Sequence, residues 1–361
     1  MIDGVDPLDP FLRGEIERGA MPGAAWWVGS PRNVVAQGAS GLAAREPRPV
    51  PLRSSTPFDL ASLTKPLATA LLAVILDRER LLSLDATIAS VLPELSGSSF
   101  GQATLRDVAA HRAGLPAWMP LYLSGATSEA YLATIARCER AAPPGATVYS
   151  DLGYLLLGFA VERASGSPLD RQFDERIARP LGLARCGFAS ASRSFADAAA
   201  TEEDRAYERA LALPAGLSHG PRTKIGRGEV HDGNAWGLGG VAGHAGLFGT
   251  AADVAAIALA ILDPGLLGLA QDALRPMLHS VAEGRGFRTV GFVRAADSET
   301  VGGVLPDDAV GHLGFTGTSV WIDTGRSRVY VLLTNRVHPR VPEASFVPTR
   351  RGFHALAAAL P

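Results

Sequence analysis

Asp59-Leu60-Ala61-Ser62-Leu63-Thr64-Lys65-Pro66 sets a hydroxyl and an amine three residues apart. It opens onto Leu67-Ala68-Thr69-Ala70-Leu71-Leu72-Ala73-Val74-Ile75-Leu76, which is apolar nearly all round. A helix with no polar face belongs inside a core, and this one is too short for a membrane span. It stops at Asp77-Arg78-Glu79-Arg80, where the chain must reach water. Proline is tolerated only in the first turn of a helix, so Pro66 predicts a start at about Ser62 or Leu63. Ser62 then sits at the amino end of the dipole, among unpaired N–H groups. Positions i and i+3 share a face, so Lys65 can point its amine at the Ser62 hydroxyl. A serine becomes a nucleophile when a nearby base takes its proton, and a lysine serves if burial lowers its pKa. Taken alone, the same residues also read as an N-cap serine and a surface lysine.

Upstream, Phe11-Leu12 and Ile16 among charges predict a first helix. Gly23–Gly29 and Asn33–Ala36 predict a hairpin turning at Ser30-Pro31-Arg32. Residues 43–57, rich in Arg, Pro and Ser, read as a loop delivering the chain to Ser62.

Downstream, residues 82–95 read as a short connection, and Thr104 with Asp107 three on caps a helix running to His111. Further helices are expected over 128–139, from Leu152 to Arg163, and over 169–178. The loop 141–147 leaves Tyr149-Ser150-Asp151 on irregular chain. Residues 190–230 show little periodicity and read as a surface excursion. Residues 237–249 hold six glycines in 13 residues, which predicts backbone packed on backbone beside a pocket. Thr250 caps a helix to Leu262. Then come a strand over Thr289–Val293, a hairpin of Ser319–Asp323 with Val329–Thr334 around Thr324-Gly325-Arg326, and a helix from Gly352 to Leu360.

Strands at both ends with helices between predict an α+β fold: an antiparallel sheet from N- and C-terminal strands, backed by terminal helices, with a mostly helical insert. The α/β part covers about 1–60 and 285–361, and the helical part about 61–284, within one catalytic unit spanning 1–361.

Hydrophobic residues are 47%, charged residues 19% and the net charge −2, with no long run of one sign. That speaks against a nucleic-acid partner or a polybasic membrane patch. Cys138 and Cys186 lack metal-type spacing and make no disulfide framework, so buried free thiols are expected. Met1-Ile2-Asp3-Gly4-Val5-Asp6 lacks the basic and apolar regions of a secretory signal, which predicts a cytoplasmic protein, or a periplasmic or extracellular one had a leader been removed.

Three signals stand in order: Ser62-Leu63-Thr64-Lys65, Tyr149-Ser150-Asp151, and Gly311-His312-Leu313-Gly314-Phe315-Thr316-Gly317-Thr318-Ser319 leading into a strand. The set resembles the serine β-lactamase and penicillin-binding protein superfamily, whose signature is Ser-x-x-Lys, a polar triplet and Lys-Thr-Gly. The tyrosine triplet points to the class C-like branch, which includes D-alanyl-D-alanine carboxypeptidases, D-aminopeptidases and esterases. Phe58–Ser62 and Leu105–Pro116 also resemble family stretches, and the likeness runs from about 20 to 358.

The resemblance implies a β-lactamase/transpeptidase-like fold and an acyl-enzyme at Ser62. It implies that Lys65 and Tyr149 share the general acid and base work. The oxyanion hole would be the amides of Ser62 and of Phe315, on the strand edge. Asp151, His312, Gly314 and Thr316 would contact substrate, and no cofactor or metal is implied. His312-Leu313-Gly314 departs from Lys-Thr-Gly, and Asp151 stands where many members carry Asn. A neutral histidine, a lost hydroxyl and an added carboxylate work against anionic β-lactams and peptide C-termini. They favour neutral esters, amides, or substrates with a free amine. The ranking is therefore an esterase or amide hydrolase acting on a small-molecule or peptide-like acyl substrate. A β-lactamase, D-alanyl-D-alanine carboxypeptidase or D-aminopeptidase comes second, and a non-catalytic binding module of the same fold is the rival. Oligomeric state is not legible.

Other polar residues have plainer readings. His111 and His244, beside glycine turns, read as hydrogen-bonded fold elements. His231, Asp232 and His244 match no compact zinc spacing. His338 packs at a strand end, and Trp118 and Tyr122 either wall the pocket or lie exposed.

Overall fold

The computed structural model describes residues 6–212, 222–280 and 288–361. The strands are β1 (Gly23–Gly29), β2 (Val34–Ala44), β3 (Val50–Pro51), β4 (Phe58–Asp59), β5 (Gly187–Phe188), β6 (Leu247–Gly249), β7 (Val293–Arg294), β8 (Val310–Leu313), β9 (Ser319–Asp323) and β10 (Arg328–Thr334). Seven form an antiparallel sheet in the order β3-β2-β1-β10-β9-β8-β7, and β4-β6-β5 form a small second one. β1 joins the two ends of the chain, with Ala24 opposite Thr334 and Gly29 opposite Val329.

Both faces of the main sheet are covered, so the period of two divides residues between two cores. Ala24, Trp26, Val28, Trp321, Tyr330 and Leu332 pack on the terminal helices Leu8–Glu17 and Val347–Ala358. Ala25, Trp27, Val320, Ile322, Val329, Val331 and Leu333 face the larger core, with the helix Ala251–Leu262 and the run after Ser62. Leu67 to Leu76 are all buried. That run starts as a 3-10 turn over Ala61–Leu63, widens to a π-helix over Lys65–Ala70, and becomes α only from Leu71 to Arg78. Pro66, lacking an N–H and crowding the carbonyl of Ser62, accounts for a start that is not α-helical.

The capped helices form where their caps predict. Thr104 accepts from the Asp107 amide, but that helix ends at Ala109 and His111 takes φ 58°. Thr250 and Asp253 form a reciprocal capping box. The long helix is Asp151–Ser165, closed by Gly166 at φ 66°. Residues 82–95, expected as a connection, include a helical turn at Ile88–Val91.

Two expectations fail. Thr289–Val293 is not a strand: the Thr289 amide bonds Phe292 O at 3.0 Å, Gly291 takes φ 101°, and pairing begins only at Val293. Nor is 190–230 a surface excursion. Ala198, Ala199, Glu202 and Arg205 are buried, and Ala206–Ala212 is a helix against the pocket. Its polar residues are satisfied by a local pair, Arg205 with Glu208 at 2.5 Å, and by one across a chain distance that periodicity does not register, Glu202 with His231 at 3.0 Å. Part of the stretch, 213–221, lies outside the described residues. Among the described residues no helix is long and apolar enough to cross a membrane. Cys138 and Cys186 are free thiols.

Candidate active site

A cavity of about 530 Å³ opens at the start of the buried helix. Its floor is Ser62, presented one residue after Ala61, which adopts φ 48°. A side chain in the left-handed region costs roughly 1–3 kcal/mol and must be held. Asp59 holds it: one carboxylate oxygen accepts from the Ala61 amide at 2.8 Å, the other from the His231 amide at 2.7 Å.

Lys65 is fully buried, and its Nζ donates to Ser62 Oγ at 2.9 Å and to His244 O at 3.1 Å. The same amine lies 2.7 Å from Asp151 Oδ1. It also lies 5.0 Å from the centre of the Tyr149 ring, and Lys65 and Ser62 are close enough to the phenol for both to act on its pKa. Ser62 and Lys65 therefore converge with Tyr149, more than eighty residues along the chain. Ser150, which had no expected role, sets Tyr149 in place. Its Oγ caps the long helix by accepting from Gly153 N at 3.1 Å and donates to Pro116 O at 2.6 Å. Its amide donates to His111 Nδ1 at 3.0 Å, and the His111 ring lies 4.6 Å from that of Tyr149.

Burial is the largest influence on Lys65 and pulls its pKa down, but Asp151 and Tyr149 together outweigh it and hold the amine above the usual lysine value. Lys65 is thus an ammonium at rest, not the lowered-pKa base the sequence suggested. Burial pushes the Tyr149 phenol up, and the Lys65 charge offsets only part of this. His312, beside Lys65 and Arg288, is held well below the usual imidazole range, mainly by burial. Its Nδ1 bonds Leu313 O at 2.8 Å and its ring lies 5.9 Å from that of Tyr149.

The turn 314–318, between β8 and β9, carries Phe315, which therefore sits in a turn and not on a strand edge. Thr316 Oγ1 donates to Asp59 O at 2.8 Å and Thr318 Oγ1 to Leu60 O at 3.2 Å, pinning this turn to the lead-in of Ser62. Arg350 of the terminal helix donates to Gly314 O at 2.6 Å and Thr318 O at 3.0 Å. Burial, with Arg336 adding to it, pushes that guanidinium down to about 9. Neither the Ser62 nor the Phe315 amide has a hydrogen-bond partner among the described residues. Gly314 lines the cavity. Thr316 does not: it is buried behind the turn, its hydroxyl engaged with Asp59, so it positions the site and does not face substrate.

Two inferences about charge also change. The Asp151 carboxylate is engaged by Lys65, and Arg288, with its guanidinium 5.6 Å from the Tyr149 ring centre, brings a cation to the wall where the usual lysine is absent. Arg336 and Arg350 line the same cavity. Glu208, Asp232 and His244 line the cavity as well. His244 Nε2 lies 2.7 Å from Asp232 Oδ1, while His231 turns to Glu202. Trp118 walls the cavity, and Tyr122 is buried beside Asn234. The Tyr207 ring lies tilted against that of Phe315, their centres 4.8 Å apart. Arg288, Glu208 and Tyr207 escaped the sequence reading because no local motif marks them.

Residues 8–347 match the family model described as Beta-lactamase. The chain belongs to the β-lactamase family. An Escherichia coli K12 relative, provisionally named a D-alanyl-D-alanine carboxypeptidase, is 34% identical over 322 residues, covering 82% of this chain and 73% of its own. Among solved structures, a class C β-lactamase from Rhodobacter sphaeroides superposes with a TM-score of 0.73 at 20% identity, over 97% of this chain and 98% of that one. EstCE1, a hydrolase with promiscuous acyltransferase activity, gives 0.72 at 22% identity, over 96% and 97%. These two likenesses concern the β-lactamase fold alone.

Proposed function

We propose that the protein is a serine hydrolase that forms an acyl-enzyme at Ser62, cleaving peptide-like amides and esters whose leaving group carries a carboxylate. The observation that carries this is the convergence of Ser62, hydrogen-bonded by Lys65, with the Tyr149 phenol beside that amine, beneath two unengaged amides. Ser62 Oγ attacks the acyl carbon, and the Ser62 and Phe315 amides receive the developing oxyanion. Tyr149 works as a relay: it takes the serine proton as its own passes to the leaving group. No free phenolate is needed, which suits a phenol whose pKa is raised. The Lys65 ammonium stabilises the charge that builds on Oγ. Arg288, over the Tyr149 ring, faces the departing side and pairs with its carboxylate. The provisional name of the Escherichia coli relative supports a peptide-like leaving group. A second reading, an esterase of neutral substrates, draws on the apolar part of the wall formed by Trp118, Leu211, Val293, Leu313 and Phe315.

The test is intact mass after a fluorophosphonate probe, on wild type and Ser62→Ala. Turnover of p-nitrophenyl butyrate, nitrocefin and a peptide ending in D-alanyl-D-alanine is measured beside it. The expected result is one adduct lost in Ser62→Ala and hydrolysis of the peptide and ester ahead of nitrocefin. Well-folded protein with no adduct and no turnover overturns the proposal in favour of a binding module.

A further inference from the structure

The Phe315 amide is held from behind by a charge. In a trans peptide the carbonyl and the following N–H point in opposite directions, and the Gly314–Phe315 bond is trans. A group that grips Gly314 O therefore fixes the direction of the Phe315 N–H. Arg350 Nη2 does so at 2.6 Å and also donates to Thr318 O at 3.0 Å, bridging the two ends of the turn. The ends bond each other as well, Gly314 N to Thr318 O at 2.8 Å. Arg350 is 7% exposed. Four residues on, and so on the same helix face, His354 Nε2 lies 3.0 Å from Ser319 Oγ, which fixes the helix against the strand that follows the turn. The Ser62 amide is backed in the same manner by a neutral group: Thr64, fully buried, donates its hydroxyl to Ala61 O at 2.7 Å. A neutral donor thus suffices to hold a peptide plane. Arg350 is instead a buried cation with no carboxylate partner among the described residues, and a buried charge is costly to keep.

We infer that Arg350 is a positioning residue of the oxyanion hole: it fixes the Gly314–Phe315 peptide plane and, through its charge on Gly314 O, strengthens the Phe315 N–H as a donor. A cation on a carbonyl oxygen draws electron density across the peptide and leaves its N–H more positive, as in any chain of linked hydrogen bonds. Negative charge developing on the substrate oxygen is then felt through the peptide by the guanidinium. The effect grows from bound substrate to transition state, so it acts on kcat. Arg350 touches no reacting atom in this role. The inference rests on the acyl-enzyme proposed above, with Phe315 as its second oxyanion donor.

The experiment compares wild type, Arg350→Met and Arg350→Gln on p-nitrophenyl butyrate and on the D-alanyl-D-alanine peptide. Fluorophosphonate labelling read by intact mass counts active sites, and phenylboronic acid serves as a tetrahedral transition-state mimic. Per labelled site, Arg350→Met should lose about 10–100-fold in kcat on both substrates, less than the roughly 10²–10³-fold that follows loss of a donor itself, with KM little changed. Phenylboronic acid should bind it more weakly by a similar factor, and millimolar guanidinium should restore part of the rate. Arg350→Gln, which keeps a donor without the charge, should lose about 10-fold and decides the matter if Arg350→Met does not fold. Arg350 also lines the cavity. A loss confined to KM for the peptide would make it a contact for the substrate carboxylate and overturn the inference. So would an unchanged kcat on the ester, or a fall in kcat without weaker boronate binding. Incomplete labelling of both variants would make Arg350 a folding residue, with the same consequence. A wild type without an adduct at Ser62 overturns the acyl-enzyme proposal itself.

Discussion

Lys65 Nζ and Asp151 Oδ1 lie 2.7 Å apart, the lysine side chain fully buried and the aspartate 18% exposed. The pair is what keeps an ammonium beneath Ser62. A lysine whose folded pKa is raised contributes stability that is complete below its unfolded value, about 10.4, and is lost as pH rises through the higher folded value. Denaturant midpoints from pH 8 to 11 should therefore fall more steeply above pH 10 in wild type than in Asp151→Asn. Asp151→Ala, which strands a buried charge, should cost about 3–5 kcal/mol. Parallel midpoint curves for wild type and Asp151→Asn would remove the ion pair from the account.

Tyr149→Phe keeps the ring against His111, at 4.6 Å, and removes only the hydroxyl proposed to relay the Ser62 proton. Turnover of p-nitrophenyl butyrate should drop about 10²–10⁴-fold with little change in melting temperature. Near-normal turnover would assign the relay to another group.

Thr316→Val deletes the hydroxyl that ties the Phe315 turn to Asp59 O and leaves that buried carbonyl short of a donor. The expected cost is about 1–3 kcal/mol in stability, together with a kcat decrease that exceeds any change in KM. A change confined to KM would mean that Thr316 contacts substrate after all.

Arg288→Met should weaken kcat/KM for the D-alanyl-D-alanine peptide by about 10-fold or more, as loss of a charge-assisted contact predicts, and leave p-nitrophenyl butyrate little changed. Equal losses on both substrates would tie Arg288 to Tyr149 alone, over whose ring it lies.

Much of the architecture was legible because it rests on local patterns. The apolar run after Ser62, the caps at Thr104 and Thr250, and the short, nearly continuous apolar runs of β1, β9 and β10 are each contained in a short window. The strand expected at Thr289 failed because Gly291 in a left-handed conformation breaks a run that composition alone suggests. The stretch 190–230 failed because its burial comes from pairs such as Glu202 with His231, which no window joins.

The sequence by itself singled out a serine, an amine and a phenol, Ser62, Lys65 and Tyr149, in that order, and the sheet that unites the chain ends. The tertiary structure alone decided their protonation and their surroundings. Lys65 is an ammonium because folding buries it against Asp151, and Thr316 turns inward because the turn docks on Asp59. Arg288 and the Asp232–His244 pair meet at one cavity from distant parts of the chain. A side chain's charge and hydrogen bonds depend on neighbours within a few ångströms. Those neighbours here come from segments tens to hundreds of residues away, which only the completed fold brings together.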